Sequence, residues 1–261
     1  MARWTAFPHD AKPYQYDAAA LKKKWPRLHA GDAEPLPQDD GVLEAWRLFH
    51  AGQFQQAVES GLKAHAAGAA GGMTVANKAQ AVYATYLEAS EKTKLALLLE
   101  VSERAEAHSR AAPKDANAFY CMAFALGRYS QGISIGKALA QGLGSKVKGA
   151  LETTIQLAPK HADAHIALGA FHAEVIDKVG SLLARTQGAS KEAGLAAFRT
   201  ALKLNPTSAI AMVEYANGLV MLEGDKRMKE ATELYEQAAA SQPEDAMERL
   251  DVEMAKAELE D

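Results

Sequence analysis

The sequence lacks most of the features by which disulfide-bonded, exported or membrane-spanning proteins are recognised. Its single cysteine, Cys121, excludes an intramolecular disulfide, and its apolar neighbours favour a small buried hydrophobic residue over a reactive thiol. No apolar run reaches the roughly 18 residues that a membrane-spanning helix needs. The N-terminus has neither the apolar segment of a secretory signal nor a lipidation cysteine. We therefore expect a soluble, cytoplasmic protein.

Catalytic motifs are missing as well. The sequence has no G-x-S-x-G nucleophile elbow, no dinucleotide-binding glycine pattern and no complete phosphate loop, although Gly136 and Lys137 match a fragment of the last. Glu174 and Asp177 share a helical surface, but exposed carboxylate pairs commonly do, and nothing in the sequence indicates that they are desolvated. We therefore expect no enzymatic activity and no cofactor.

Three histidines are the strongest candidates for a metal site. His161 and His165 are four residues apart, and such a pair can bind zinc from one helix face. His172 follows later in the same predicted helix. No H-E-x-x-H motif is present, and two of the histidines occupy positions that a helical repeat fills with large packing residues. Packing is the favoured interpretation, so we expect no metal.

The sequence is rich in alanine, poor in aromatic residues (7%) and punctuated by regularly placed prolines. This composition favours close-packed helices over a sheet. Pro113, Pro159, Pro206 and Pro243 each follow an apolar helical pattern, at spacings of 46, 47 and 37 residues. Because proline cannot continue a helix, each is predicted to end the second helix of a repeat unit. All three spacings exceed the roughly 34 residues of the plain tetratricopeptide repeat (TPR).

The segment 162–206 matches the tetratricopeptide pattern, which reads W-x2-L-G-x2-Y, then A-x3-F, then P. Leu168 and Gly169 match the first helix, and Phe198 and Pro206 match the second, while histidines replace the Trp and the Tyr. The pattern predicts that Gly169 lies where the two helices approach most closely. The same spacing of packing residues and prolines fits the neighbouring repeat units. The predicted fold is therefore an all-α, TPR-like α-solenoid of about five helical hairpins, with two intra-repeat insertions and a C-terminal capping helix.

Two regions are predicted along the chain. Residues 1–40 form a Pro- and aromatic-rich N-terminal arm, with five of the nine prolines and two of the three tryptophans, and residues 41–261 form the helical repeat domain. Within the arm, a short helix is predicted from Asp17, as N-cap, to Trp25, ended by Pro26. The many aromatic residues favour an arm that packs on the helices over one that docks on a partner, and both remain open.

Two insertions account for the excess repeat length. They comprise residues 130–145 and 175–190, and both are apolar on one side and basic at their edges. The second continues the apolar stripe of its preceding helix, which is therefore predicted to run to about Arg185. Insertions of this length are uncommon unless they have a use. We expect them to form a wall at one rim of the repeat's groove.

Charge is unevenly distributed along the chain, whose formal net charge is −4. Residues 111–203 carry 11 Lys and Arg against 6 Asp and Glu, whereas residues 222–261 carry 5 against 13. Solvated helix faces are the simpler interpretation, and a basic surface for an acidic peptide or a nucleic acid is the alternative. Aliphatic residues flank the lysines, which disfavours single-stranded nucleic acid. We expect a protein or peptide partner and no nucleic acid, and a homo-oligomer remains possible.

Short fragments across residues 115–258 carry a family resemblance. They are Ala125-Leu126-Gly127-Arg128, Ile133 to Lys137, Ala164-His165-x2-Leu168-Gly169 and Ala201-x3-Asn205-Pro206. With these fragments the sequence resembles the tetratricopeptide family that includes the regulator-of-microtubule-dynamics proteins and the bacterial TatT proteins. The resemblance implies a non-enzymatic binding protein. Its TatT branch implies an alternative, a transport accessory protein that binds a small apolar ligand.

The leading hypothesis is a non-enzymatic TPR scaffold that binds a peptide or protein partner in its concave groove. In such a repeat the first helix of each unit lines the groove. Some of the lining residues could instead be covered by the arm or the insertions, and this alternative remains open. The predicted partner-binding residues are Asn117, Tyr120, Phe124, Arg128, Lys137, Asp163, Ile166, Glu174, Ile210, Val213, Asn217 and Met221.

Overall fold

The computed structural model describes residues 4–260, among which there are helices and turns and no β-strand. Within that range, no helix is both long and apolar enough to cross a membrane. The described chain divides into two compact units, each assembled from segments that are separate in sequence. Unit 1 comprises residues 4–29, Glu34–Ile133 and Glu244–Met247, and unit 2 comprises Ala30–Ala33, Ser134–Pro243 and residues 248–260.

Unit 1 contains six α-helices that pack as successive neighbours. The second packs on the third, the third on the fourth, the fourth on the fifth and the fifth on the sixth. The fourth helix also contacts the second and the sixth. This is the contact pattern of stacked helical hairpins. The helices are α1 (Ala18–Leu28), α2 (Asp40–His50), α3 (Phe54–Ala66), α4 (Gly72–Tyr86), α5 (Glu91–Ala111) and α6 (Ala116–Gln131).

Side-chain caps fix where most of these helices begin. The carboxylate of Asp17 accepts a hydrogen bond from the backbone N–H of Ala20 at 2.8 Å, as predicted for the N-cap of α1. Asp39, Ser90 and Asp115 cap α2, α5 and α6 in the same way. Each cap satisfies a backbone donor that the first helical turn leaves without a partner.

The predicted end of α1 at Pro26 is wrong. The helix continues to Leu28, and the His29 N–H donates to the Trp25 carbonyl at 2.9 Å. Proline removes only its own N–H and disfavours the helical conformation of the residue before it. The cost is met here by tertiary packing, because Leu21 and Trp25 are buried.

Two glycines permit a close backbone approach between α3 and α4. A Cβ atom on Gly61 would lie 2.7 Å from the carbonyl oxygen of Gly72, and a Cβ on Gly72 would lie 2.6 Å from that of Gly61. Side chains at either position would force the helices apart. The approach leaves α4 buried along most of its length, at the centre of unit 1.

Unit 2 contains the remaining helices. The ninth helix packs on the tenth and the eleventh on the twelfth, and the ninth also packs on the eighth and the eleventh. The helices are α7 (Ile135–Ala140), α8 (Leu143–Leu157), α9 (Ala162–Thr186), α10 (Lys191–Leu204), α11 (Ala209–Glu223), α12 (Met228–Ala239) and α13 (Ala246–Glu258), whose residues from Glu248 onward belong to this unit.

Phe198 is the central packing residue between three helices of unit 2. Its fully buried ring on α10 lies where a Cβ atom on Gly169 of α9 would come within 2.8 Å. A Cβ atom on Gly218 of α11 would come within 2.4 Å of the same ring. The close approach predicted at Gly169 is therefore confirmed. Gly218 on the neighbouring helix makes a second close approach to the same ring.

The two insertions fold as helical segments. The first forms the short helix α7, which the glycine-rich sequence did not predict. The second prolongs α9 to Thr186, close to the predicted Arg185, but the helix is broken at Gly180, which has φ 75° and ψ 156°. Only glycine adopts this conformation readily, so the residue sets a fixed bend.

Helix α13 closes the end of unit 2. Its Val252 and Ala255 are buried against Ala209 and Val213 of α11 and Ala238 of α12. The apolar face of the last helix thus covers the final hairpin, as predicted for a capping helix.

Candidate partner-binding site

Four of the predicted groove residues lie on one face of α6. The rings of Tyr120 and Phe124 stack with centroids 6.0 Å apart, and the guanidinium of Arg128 lies 5.7 Å from the Phe124 centroid. Tyr120 is buried, whereas Phe124 and Arg128 are half-buried. The structure thus brings these three together as an aromatic and cationic row. The fourth, Asn117, begins this row and faces a different neighbour.

Asn117 binds a carboxylate of the chain's own N-terminal arm. Its side-chain amide donates to Oε2 of Glu34 at 2.6 Å, and both side chains are buried, with 4% and 8% of their surface exposed. Asn117 is itself held in place, because its backbone N–H donates to the Asp115 carboxylate at 2.9 Å. The arm therefore occupies the first of the predicted groove positions on α6.

Glu34 also lies at the start of α4. A Cβ atom on Gly71 would be 3.6 Å from Glu34 Oε1. Gly71 begins α4 with φ 86° and without a side-chain cap, and the first turn of the helix carries no acidic residue. The positive end of the helix dipole therefore faces the Glu34 carboxylate, which stabilises the negative charge.

Aromatic packing holds the arm in place on both sides of this contact. The indole N–H of Trp25 donates to the Glu34 carbonyl at 2.8 Å, and its ring lies edge-on to Trp46 at 6.0 Å. Near the N-terminus, Trp4 stacks on Tyr83 with ring centroids 4.0 Å apart. Within unit 1 the arm is packed on α2 and α4, the arrangement that its aromatic residues favoured.

In unit 2, the same arm covers the first predicted groove position of α9. The backbone N–H of Asp163 donates to the Gly31 carbonyl at 3.0 Å. A Cβ atom on Gly31 would lie 2.3 Å from the Asp163 carboxylate, so a larger residue there would displace that side chain. The arm thus contacts both Asn117 and Asp163. This is the alternative that the sequence left open, in which the arm covers part of the predicted groove lining.

The remaining predicted residues of unit 2 differ in their surroundings. Ile166 is buried and Ile210 half-buried in a cluster with Ala201 and Ala211. Val213 is buried beneath α13. Glu174 forms an ion pair with Lys178 at 3.2 Å, Asn217 accepts a hydrogen bond from the hydroxyl of Tyr235, and Met221 is exposed.

Lys137 lies on α7, within the first of the two insertions, whose helical segments we together call the insertion surface. It comprises α7 and the part of α9 after the Gly180 bend. Helix α7 buries none of its residues, and Leu182 exposes 82% of its surface. The apolar residues exposed here are Ile135, Leu139, Leu182 and Leu183.

The three candidate metal-binding histidines each have a hydrogen-bonding role. Nδ1 of His161 accepts from the Ala164 N–H at 3.0 Å and so caps α9, a role that the sequence did not indicate. Nε2 of His165 lies 3.3 Å from a backbone carbonyl oxygen, and Nδ1 of His172 accepts from the Ser190 N–H at 3.2 Å. Over the described residues 4–260, no three His, Cys, Asp or Glu side chains are arranged to hold a metal ion.

A buried polar network in unit 1 escaped the sequence analysis. Arg104 of α5 donates from Nε to the Asn77 side-chain oxygen at 2.6 Å and from Nη2 to that of Gln80 at 3.0 Å. Burial lowers the pKa of Arg104, against the attraction of Glu100 and Cys121. The sequence could have indicated this network, because α4 contains polar residues although most of the helix is apolar.

Comparison with known proteins gives one family match. The sequence profile described as regulator of microtubule dynamics protein 1-3 matches residues 44–261, well over half of the chain. The chain belongs to this family. The resemblance to the regulator-of-microtubule-dynamics proteins, seen in the short sequence fragments, is thereby confirmed. No curated protein sequence matches the chain.

One solved TPR protein has a similar fold. A thermophilic TPR protein of Thermus thermophilus superposes with a TM-score of 0.59 at 16% identity, over 84% of this chain and 98% of that protein. The complex of the TPR2AB domain of yeast Sti1 with pHSP90 superposes with a TM-score of 0.31 at 14% identity, over 96% and 95%. The first of these likenesses confirms the predicted all-α, TPR-like fold.

Proposed function

We propose that this protein is a non-enzymatic TPR scaffold that binds a peptide or protein partner along the first helices of its units. The TPR fold supports an interaction role, because stacked helical hairpins offer an extended surface on which a partner can bind. The observation that carries the proposal is the insertion surface. Large apolar side chains are exposed on both of its segments, and exposed apolar patches on a folded protein mark interaction sites.

The arrangement of the insertion surface favours a partner with apolar and acidic residues. Ile135 and Leu139 are four residues apart, so they project from one side of α7. Leu182 and Leu183 follow the bend at Gly180. Basic side chains flank both segments, which would attract a negatively charged partner and raise its rate of association.

The test is a pair of matched double substitutions in the full chain. Ile135→Asp with Leu182→Asp places two charges on the insertion surface, whereas Met228→Asp with Leu259→Asp places two charges at exposed apolar sites elsewhere in unit 2. We expect both proteins to keep their helical content by circular dichroism. A partner captured by the unmodified chain should be lost from the first variant and retained by the second.

Equal capture by all three proteins would contradict a binding role for this surface. Loss of helical content in the first variant alone would show that α7 and the end of α9 belong to the core. The small-ligand alternative stays a prediction, and native mass spectrometry of the purified protein tests it by detecting a retained ligand. The cytoplasmic location also stays a prediction.

A further inference from the structure

The contact between Glu34 and Asn117 has the chemistry of a receptor for a carboxylate. The amide of Asn117 donates to one carboxylate oxygen at 2.6 Å, and the other oxygen lies beside the uncapped start of α4. Two further polar side chains share that face of α4 with Gly71. They are Thr74, whose buried hydroxyl has no hydrogen-bond partner, and Lys78, a buried cation.

Such an environment is specific for a negative charge. A buried carboxylate is costly unless donors or cations compensate it. The receptor supplies the donors, whereas the ammonium of Lys78 lies 5.9 Å from the Phe49 ring centroid. The amide of Asn117 and the start of α4 would bind any carboxylate that reached them. Nothing in this chemistry requires the carboxylate to belong to Glu34.

The arm segment that fills the receptor is extended, and the Trp25 indole N–H also binds its Glu34 carbonyl at 2.8 Å. Residues 33–37 form neither helix nor strand, and Pro35 and Pro37 have no backbone N–H to donate. Leu36 is exposed, and Ala33 has φ 50°, a left-handed conformation that is unfavourable for a residue with a Cβ atom. The segment is thus a proline-rich extended peptide with one buried acidic side chain.

We propose that this segment is a resident occupant of a partner site, which an acidic extended segment of a partner protein enters by replacing it. The partner's Glu or Asp side chain would accept the hydrogen bond from Asn117 in place of Glu34. The inference rests on the proposed scaffold function and names the partner chemistry for unit 1.

Tethering explains how such a site stays closed without a partner. A segment joined to its receptor by a short linker has an effective concentration in the millimolar range. A free peptide with the same contacts therefore competes poorly until the tethered carboxylate is weakened. This gives a direct test with a defined probe.

The probe is a fluorescent peptide with the sequence of residues 28–40, LHAGDAEPLPQDD. Its binding is measured by anisotropy to the unmodified chain, to Glu34→Gln and to Glu34→Gln with Asn117→Ala. Asp40→Asn, which changes an exposed carboxylate next to the same segment, is the matched control. A control peptide carries Gln at the position of Glu34.

We expect Glu34→Gln to bind the peptide about tenfold tighter than the unmodified chain, because it loses its own charge-assisted hydrogen bond. Asp40→Asn should bind like the unmodified chain. Adding Asn117→Ala should remove the gain, and the Gln control peptide should bind Glu34→Gln about tenfold more weakly than the probe does. If folded Glu34→Gln binds the probe no better than the unmodified chain, the segment is a fixed structural contact and the proposal is wrong.

A second measurement uses the unmodified chain, so it does not depend on how a variant folds. The peptide is added to isotope-labelled protein at about 10 mM, above the millimolar effective concentration of the tethered segment, and amide hydrogen exchange is followed. We expect faster exchange in residues 30–38 with no change in α6, and unchanged exchange in residues 30–38 would overturn the proposal. Failure of the scaffold function would be seen separately, in the double-substitution test of the insertion surface. There the partner would be captured equally well by the substituted and unmodified chains, and the receptor around Asn117 is unaltered in all of them.

Discussion

Nδ1 of His50 lies 2.7 Å from Oδ2 of Asp245, although 195 residues separate them in the sequence. Both side chains are buried, and Nε2 of His50 lies 3.3 Å from Nε2 of His29. Nearby, the ammonium of Lys24 lies 2.7 Å from the Glu244 carboxylate. The arm, α2 and the segment before α13 are thus joined in unit 1 by the buried His29, His50 and Asp245 and by a partly exposed ion pair.

The first prediction concerns the buried contact between His50 and Asp245. Asp245→Ala should destabilise the protein by about 2–4 kcal/mol, because it leaves a buried imidazole N–H without its charged acceptor. Urea unfolding measures the free energy change. Asp225→Ala, at an exposed carboxylate, is the control and should cost less than about 0.5 kcal/mol. Similar unfolding curves for the two variants would mean that the Asp245 contact contributes little.

The second prediction concerns the packing of Phe198. Gly169→Ala should cost about 1–3 kcal/mol, because the new methyl group would overlap the buried Phe198 ring. Gly149 is the matched control, since it lies within α8 with open space where a Cβ atom would stand. Gly149→Ala should be neutral or stabilise by up to about 1 kcal/mol. Melting temperatures of the two variants should therefore move in opposite directions or differ clearly.

The TPR pattern made the position of Gly169 predictable, because the pattern records a local contact between two helices of one unit. The helix starts at Asp17 and Asp115 were predictable for the same reason, since a cap acts within one turn. Pro26 shows the limit of local rules. Its helix-ending tendency was outweighed by the burial of Trp25, a tertiary effect that no short window contains.

The binding contacts of the arm could not be predicted, because they join residues far apart in sequence. Glu34 and Asn117 are 83 residues apart, and neither belongs to a motif that requires the other. The position of Asn117 within the repeat pattern was the only reason to predict that it lies on the groove side of its helix. It could not indicate that the chain itself supplies a carboxylate there.

The third prediction concerns His172 and pH. Burial, and next the positive charge of Lys148, lower the pKa of His172, against the attraction of Glu152. The neutral imidazole accepts the Ser190 N–H, and protonation would abolish this acceptor. A histidine whose pKa is lower in the folded than in the unfolded state stabilises the fold at pH values above its unfolded-state pKa of about 6.5. That stability is lost as the pH falls towards the folded-state pKa.

We therefore expect the melting temperature to fall when the pH is lowered from about 7.5 to 5.5, the range in which histidine titrates. His172→Gln should show a smaller fall over the same range, because glutamine does not titrate. Differential scanning fluorimetry at both pH values measures this. An equal fall in both proteins would indicate that His172 is not responsible.

The last prediction concerns the bend in α9. Gly180 has φ 75° and ψ 156°, a conformation that is essentially restricted to glycine. Because open space surrounds the position, Gly180→Ala meets no steric contact and acts on the backbone alone. Alanine also favours the helix by about 1 kcal/mol over glycine. The substitution should therefore make α9 continuous, which circular dichroism would register as a small gain in helical content.

A continuous α9 would redirect Leu182 and Leu183, since one residue's change in φ and ψ rotates everything that follows. If the insertion surface binds the partner, Gly180→Ala should capture less of it while remaining fully folded. Gly136→Ala, in α7 and also surrounded by open space, changes no strained backbone angle and is the control, which should capture the partner normally. Undiminished capture by Gly180→Ala, together with the gain in helical content, would show that the direction of the segment after the bend does not matter for binding.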